Sequence, residues 1–142
     1  MDGSQTTDLL PTLDVLLISD DAAAFRLIRE ALAERSDGKI RSKWRLHRVG
    51  RLADGVNRLR EGGIAVVLAD LALPDSQGNK TFEALVEAAP LVPVLVMTNR
   101  EDEDNAWQAT QGGAHEYLLK DHFDRYWLPR ILRSAIGRKS GE

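Results

Sequence analysis

The chain has 142 residues, 43% of them hydrophobic and 29% charged, which is the size and composition of one globular domain able to bury a single core. A net charge of −3, with no basic stripe beyond the short Arg-rich end, argues against a duplex nucleic-acid partner. The absence of cysteine excludes a disulfide framework and thiolate metal sites and fits a cytoplasmic protein. The first ten residues lack the basic start and apolar stretch of a signal peptide. The longest apolar runs are strand-sized, so no membrane partner is expected.

The opening residues, 1–12, read as a flexible tail, polar over its first seven positions. The run Val15-Leu16-Leu17-Ile18 predicts a buried strand, followed by Asp20-Asp21. Phe25, Ile28 and Leu32 recur at helical spacing, with Arg26, Arg29, Glu30 and Glu34 on the opposite side; Ser36-Asp37-Gly38 ends that helix. Residues 44–49 alternate and predict an edge strand. A second helix is expected at 52–60 with Val56 and Leu59 as its apolar face, stopped by Gly62-Gly63. Residues 64–69 form a third strand, apolar throughout, that ends at Asp70. A loop through Pro74-Asp75-Ser76-Gln77-Gly78 leads to a helix with Phe82, Leu85 and Val86, closed by Pro90. Residues 92–97 predict a fourth strand, and 101–111 a helix whose acidic first turn suits the helix dipole. The fifth strand is expected at 115–119. The last helix carries the stripe Leu128, Ile131, Leu132, Ala135 and Ile136, holds Pro129 in its first turn and ends near Gly137.

Five strands alternating with five helices, the central strands apolar throughout, imply a parallel sheet covered on both faces. A doubly wound, flavodoxin-like (βα)5 fold with strand order 2-1-3-4-5 is the expected α/β architecture. In such sheets the functional crevice lies at the carboxyl ends of the strands. Those ends carry Asp20 and Asp21, Asp70, Thr98 and Lys120. Neighbouring first and third strands should bring three carboxylates together, where they would repel unless a cation intervenes. Mg²⁺ takes oxygen ligands and keeps several waters, so one or two carboxylates and a carbonyl suffice. With an ammonium and a hydroxyl added, the set suits phosphoryl transfer. Asp70, ending the most central strand, is the expected nucleophile.

These residues resemble the receiver domain family of response regulators in two-component signalling. The resemblance rests on Asp20-Asp21, the stretch Asp70-Leu71-Ala72-Leu73-Pro74-Asp75-Ser76-Gln77-Gly78, Thr98, and Tyr117 three positions before Lys120. It covers about residues 13–138, with 139–142 as a tail or the start of a linker. It implies that Asp70 accepts a phosphoryl group from a histidine kinase or phosphotransfer protein. Mg²⁺ would be held by Asp21, Asp70 and the backbone carbonyl of Ala72, with Asp20 acting through water. Lys120 would pair with the phosphoryl oxygens, and Thr98 and Tyr117 would switch together. The surface of the fourth helix, fifth strand and fifth helix would then engage a second copy or an output domain.

Three features depart from the family pattern. Asp121, not proline, follows Lys120, so a trans bond is expected there. Asn99 follows Thr98 where a smaller residue is usual. Ala72 and Arg100 stand where the family tunes dephosphorylation. His47, His115 and His122 lack metal-like spacing, the run Glu101-Asp102-Glu103-Asp104 reads as a solvated helix start, and Trp107 and Trp127 are candidate contact residues. Such a switch is not an enzyme with a separate substrate. The alternative is a phosphorylation-independent pseudo-receiver that acts as an interaction module. A flavin protein or phosphatase on the same fold is disfavoured, because no glycine-rich loop follows the first strand and Asp20 and Asp21 are adjacent.

Overall fold

The structure is a computed structural model that describes residues 12–33, 43–99, 107–108, 111, 116–120 and 127–140. Five strands build one sheet: β1 (Thr12–Ile18), β2 (Lys43–Val49), β3 (Val66–Asp70), β4 (Val94–Thr98) and β5 (Glu116–Leu119). Their spatial order is β2-β1-β3-β4-β5, and every pairing is parallel. The helices are α1 (Ala22–Ala33), α2 (Leu52–Arg60), α3 (Asn79–Ala88) and a C-terminal helix (Leu128–Ser140). The order reverses between β1 and β3, which opens the crevice at their carboxyl ends. The doubly wound flavodoxin-like architecture expected from the sequence is therefore present.

The side-chain period of two divides the interior. Leu16 and Ile18 of β1, Val67 and Ala69 of β3, and Val94 and Val96 of β4 face α2 and α3, where Leu59, Phe82 and Leu85 close over them. Val15, Leu17, Val66, Leu68, Leu95 and Met97 face the other way, against Ile28 and Ala31 of α1 and Leu128, Leu132 and Ala135 of the C-terminal helix. The single core expected from chain length is thus two half-cores with the sheet between them. β3 is buried along its whole length, whereas β2, at the edge, is only partly covered. The sequence contrast between an apolar run and an alternating one reports this difference.

Boundaries move where pairing, not composition, decides them. β1 starts at Thr12 because Thr12, Leu13 and Asp14 pair with Lys43, Trp44 and Arg45. β4 starts only after Pro93, whose carbonyl accepts the Val67 N–H at 3.0 Å but which has no N–H to return. Residues 72–73 and 76–77, expected as loop, form a short antiparallel ladder. Val86, expected on the apolar face of α3, is 37% exposed, and the buried face of that helix is Thr81, Phe82 and Leu85. The C-terminal helix runs three residues past Gly137, with Pro129 in its first turn; of the expected stripe Leu128, Leu132 and Ala135 are buried, and Ile131 and Ile136 are half-buried against them. Residues 1–11, 34–42, 100–106, 109–110, 112–115, 121–126 and 141–142 lie outside the described residues, and with them Ser36-Asp37-Gly38, Arg100, the acidic run, His115, the Lys120–Asp121 bond and His122. Trp107, Gln108 and Gln111 are helical. His47 is a strand residue whose Nε2 lies 2.8 Å from Asp14 Oδ1.

Two glycine positions set α2. Gly62 and Gly63 adopt φ of 84° and 85°, the left-handed conformation that ends the helix as expected. Within the helix, Gly55 lies directly on β1, and a Cβ there would run into Cδ1 and Cγ1 of Ile18. Gly55→Ala gains helix propensity of roughly 1 kcal/mol but overpacks a rigid strand at about 1–3 kcal/mol. The expected net effect is a lower urea midpoint at unchanged m-value; an equal or higher midpoint would refute the close approach.

Candidate functional site

β3 delivers Asp70 to the carboxyl edge of the sheet, where the side chain is buried although it is a carboxylate. A buried charge must be compensated. The Asp70 Oδ2 atom forms an ion pair with the Lys120 ammonium and accepts the Ser19 hydroxyl at 3.3 Å. Oδ1 accepts the backbone N–H of Ala72 at 3.1 Å. Both carboxylate oxygens are thus occupied, and the side chain is held from three directions.

Lys120 follows β5 and keeps only 23% of its side chain exposed. Its ammonium reaches Asp21 Oδ2 at 3.4 Å as well as Asp70. Burial alone would depress this amine, but the hydrogen bond and charge of Asp70, joined by Asp21, outweigh it and raise its pKa.

Asp21 has two tasks. Its Oδ1 accepts the N–H groups of Ala23 at 3.0 Å and Ala24 at 3.2 Å, which caps the first turn of α1, while Oδ2 faces Lys120. The amide of Ala24 is the main cause of a lowered pKa; partial burial opposes it, and Lys120 and the amide of Ala23 assist. Asp20 is exposed and has no partner among the described residues. Asp21 and Asp70, not all three carboxylates, meet on one cation, because consecutive side chains leaving an extended segment diverge.

Thr98 ends β4 almost fully buried, and its hydroxyl donates to the carbonyl of Asn99 at 3.2 Å. Asn99 itself is exposed. Tyr117 lies opposite Val96 in the β4–β5 register and packs, half-buried, against the α2–α3 half-core. By strand alternation Thr98 belongs to the same sheet face as Val96 and Tyr117. Trp107 and Trp127 are 56% and 50% exposed.

Two residues join the site without having been singled out from sequence. Ser19 is fully buried; its hydroxyl donates to Asp70 and accepts the N–H of Asp21 at 3.0 Å, so it bridges the two acidic loops. A small hydroxyl residue between an apolar strand and an acid pair was the available signal. Asp75 accepts the N–H groups of Leu52 at 2.8 Å and Ala53 at 3.0 Å, capping α2 across 23 and 22 residues of chain. Those amides of Ala53 and Leu52 hold its carboxyl below the ordinary range. The sequence had placed Asp75 only within the loop of residues 74–78.

Among the described residues, no group of three or more His, Asp or Glu side chains is arranged to hold a metal ion. The donor chemistry nevertheless suits a small hard cation. Two carboxylates already converge on one positive charge, and Mg²⁺ needs only one or two carboxylates with carbonyl and water completing its shell.

A parallel doubly wound sheet with a buried carboxylate, an ammonium and a second acid at its carboxyl edge defines a class of signalling module, and comparison with known proteins identifies the family. The sequence model of the response regulator receiver domain matches residues 15–131, so the chain belongs to that family. It is 31% identical over 131 residues to the methanogenesis regulatory protein FilR1 of Methanothrix harundinacea, covering 88% of this chain and 28% of that protein. It is 28% identical over 129 residues to the swarming motility regulation protein RssB of Serratia marcescens, covering 89% of this chain and 54% of that protein. The chain therefore spans between about a quarter and about half of these relatives. A receiver domain from Clostridium thermocellum superposes with a TM-score of 0.74 at 26% identity, covering 90% of this chain and 97% of that one. The receiver domain of the sensor histidine kinase PA1611 from Pseudomonas aeruginosa PAO1, which has a magnesium ion coordinated in its active-site cleft, superposes with a TM-score of 0.70 at 27% identity, covering 89% and 98%. No helix among the described residues is long and apolar enough to cross a membrane.

Two measurements check this electrostatic arrangement. In a metal-free double-mutant cycle, Lys120→Met is expected to destabilise more than Asp70→Asn, since it strands a buried carboxylate, and the pair should show a coupling energy of about 1–3 kcal/mol. Additive effects would mean that the ion pair does not form. The lowered pKa of Asp21 means that its contribution is complete above the unfolded value, about pH 4, and is lost as pH falls through the lower folded value. Asp21→Asn should therefore reduce the loss of unfolding free energy on acidification below about pH 4; an unchanged acid limb would contradict the capping geometry.

Proposed function

We propose that this receiver domain is a phosphorylation switch in which Asp70 is the phosphoacceptor. The observation that carries the reading is the burial of Asp70 on the central strand with Lys120 paired to it. A carboxylate fixed on a rigid element beside an ammonium is positioned both to attack phosphorus and to have the incoming charge neutralised. The donor is a phosphohistidine on a histidine kinase or phosphotransfer protein. An Asp70 oxygen attacks phosphorus, the P–N bond breaks, and the imidazole leaves with the electron pair and takes a proton from solvent.

Asp21, Asp70 and the Ala72 carbonyl hold Mg²⁺ in this reading, with Asp20 acting through water. When bound, Mg²⁺ supplies positive charge against the phosphoryl oxygens. Lys120 then pairs with a phosphoryl oxygen. Thr98 gives up its bond to the Asn99 carbonyl and donates its hydroxyl to the phosphoryl group, and Tyr117, on the same sheet face, changes rotamer with it. The receiving surface is that of the fourth helix, fifth strand and fifth helix, where a second copy or an output domain would dock. The functional unit spans residues 13–138, and the setting is the cytoplasm. A second reading, a phosphorylation-independent interaction module, draws on exposed Asn99 beside Thr98 and on the exposure of Asp20.

Incubation with acetyl phosphate and Mg²⁺, followed by a cold acid quench and intact-mass measurement, separates the two. One phosphoryl adduct is expected, absent from Asp70→Asn and from metal-free samples. Failure to form the adduct, together with failure to bind beryllofluoride, would overturn the switch and favour the interaction module.

A further inference from the structure

Helix α2 lies against β1, which leads into Asp20-Asp21, and is bonded to the connection that follows Asp70. Through Gly55 it lies on Ile18, the residue before Ser19, whose hydroxyl in turn contacts both Asp70 and the amide of Asp21. At its first turn, α2 is joined to the loop that carries Asp70. Arg51, in the extended conformation of an N-cap residue, makes no side-chain cap. Two of the amides left open there, those of Leu52 and Ala53, are taken by Asp75, from the far side of the β3–α3 connection.

That connection is otherwise bonded to β4, to α3 and to itself. The Leu71 N–H donates to Met97, Gly78 N–H donates to Leu71, and 72–73 pair with 76–77. The Ser76 hydroxyl meets that of Thr81 at 2.8 Å, which ties the far strand of the ladder to α3. Asp75 sits at the tip of the ladder, so its two bonds are what fix the tip against α2.

From this geometry we infer that Asp75 is a positioning residue. Its carboxylate, seated on the α2 N-terminus, holds the ladder of residues 72–77 and so sets where the Ala72 backbone stands relative to Asp70 and the 19–21 loop. The inference rests on the phosphoacceptor reading for its consequence in metal binding, but its structural content stands apart from that reading. Ala72 is the point of leverage, since its N–H fixes Asp70 Oδ1 and its carbonyl is the proposed metal ligand.

A cap that merely stabilises α2 and a strut that positions the loop are separated by moving the cap. Asp75→Ala removes both roles. Adding Arg51→Ser supplies a local cap to the same turn but no bond to the ladder. Three proteins are compared, wild type, Asp75→Ala and Asp75→Ala/Arg51→Ser, by thermal melting, by hydrogen exchange of the 71–78 peptide, and by binding of Mg²⁺ with beryllofluoride. The expected result is that the double variant recovers the melting temperature of wild type yet keeps the fast exchange of 71–78 seen in Asp75→Ala. Its binding should stay roughly tenfold weaker than wild type, the lower end for loss of an outer-shell partner. Asp75→Asn should rescue part of both, because Asn keeps one acceptor oxygen where Asp75 uses two, one for each N–H. Recovery of slow exchange in the double variant, or wild-type exchange in Asp75→Ala, would overturn the inference. Wild-type protein that binds no beryllofluoride would instead sink the phosphoacceptor reading, while the exchange data would still decide the role of Asp75.

Discussion

A carboxylate buried at the end of a central strand imposes its requirements on everything around it. Asp70 ends a strand buried along its whole length, at the carboxyl edge of the sheet, and taking its charge out of water is costly without a partner. The partner is Lys120, at the end of β5. This pair fixes more than itself. Reaching Asp70 brings the Lys120 ammonium to Asp21, whose other oxygen caps α1, so the start of one helix and the ends of two strands are joined through a single positive charge. Ser19 closes the set with a hydroxyl that serves both acidic loops.

The strand ends were readable because burial writes itself into composition. A strand covered on both faces must be apolar throughout, so the first polar residue after the run stands out, and for β3 that residue is Asp70. The same logic located Thr98 and Lys120, and the alternating pattern of β2 marked an edge. Fold class and site position therefore came from local pattern joined to the topology rules for parallel sheets. The cap of Asp21 on α1 was also open to local reading, since its partners are two and three residues away.

What stayed hidden depends on contacts between segments distant in sequence. Asp75 reads as part of the loop of residues 74–78, and nothing within ten positions announces that its acceptors face Leu52 and Ala53. Ser19 reads as the tail of a strand until Asp70 is brought alongside it. The 72–77 ladder is too short for periodicity to reveal, and β1 gains its first three residues only from the register with β2. Val86 fits a helical apolar spacing, but the stripe of α3 that the sheet covers stops short of it.

The division of the interior by the sheet has a mechanical meaning. Side chains above β3 meet α2 and α3, and those below meet α1 and the C-terminal helix. The two chambers share a wall made of backbone hydrogen bonds. A dense interior transmits strain by contact, so a displaced volume on one side acts first on the helices packed there. Tyr117 lies in the upper chamber with Val96, and Leu118, its neighbour in sequence, lies in the lower. The β5 strand therefore borders both compartments: two adjacent side chains are packed into two different half-cores.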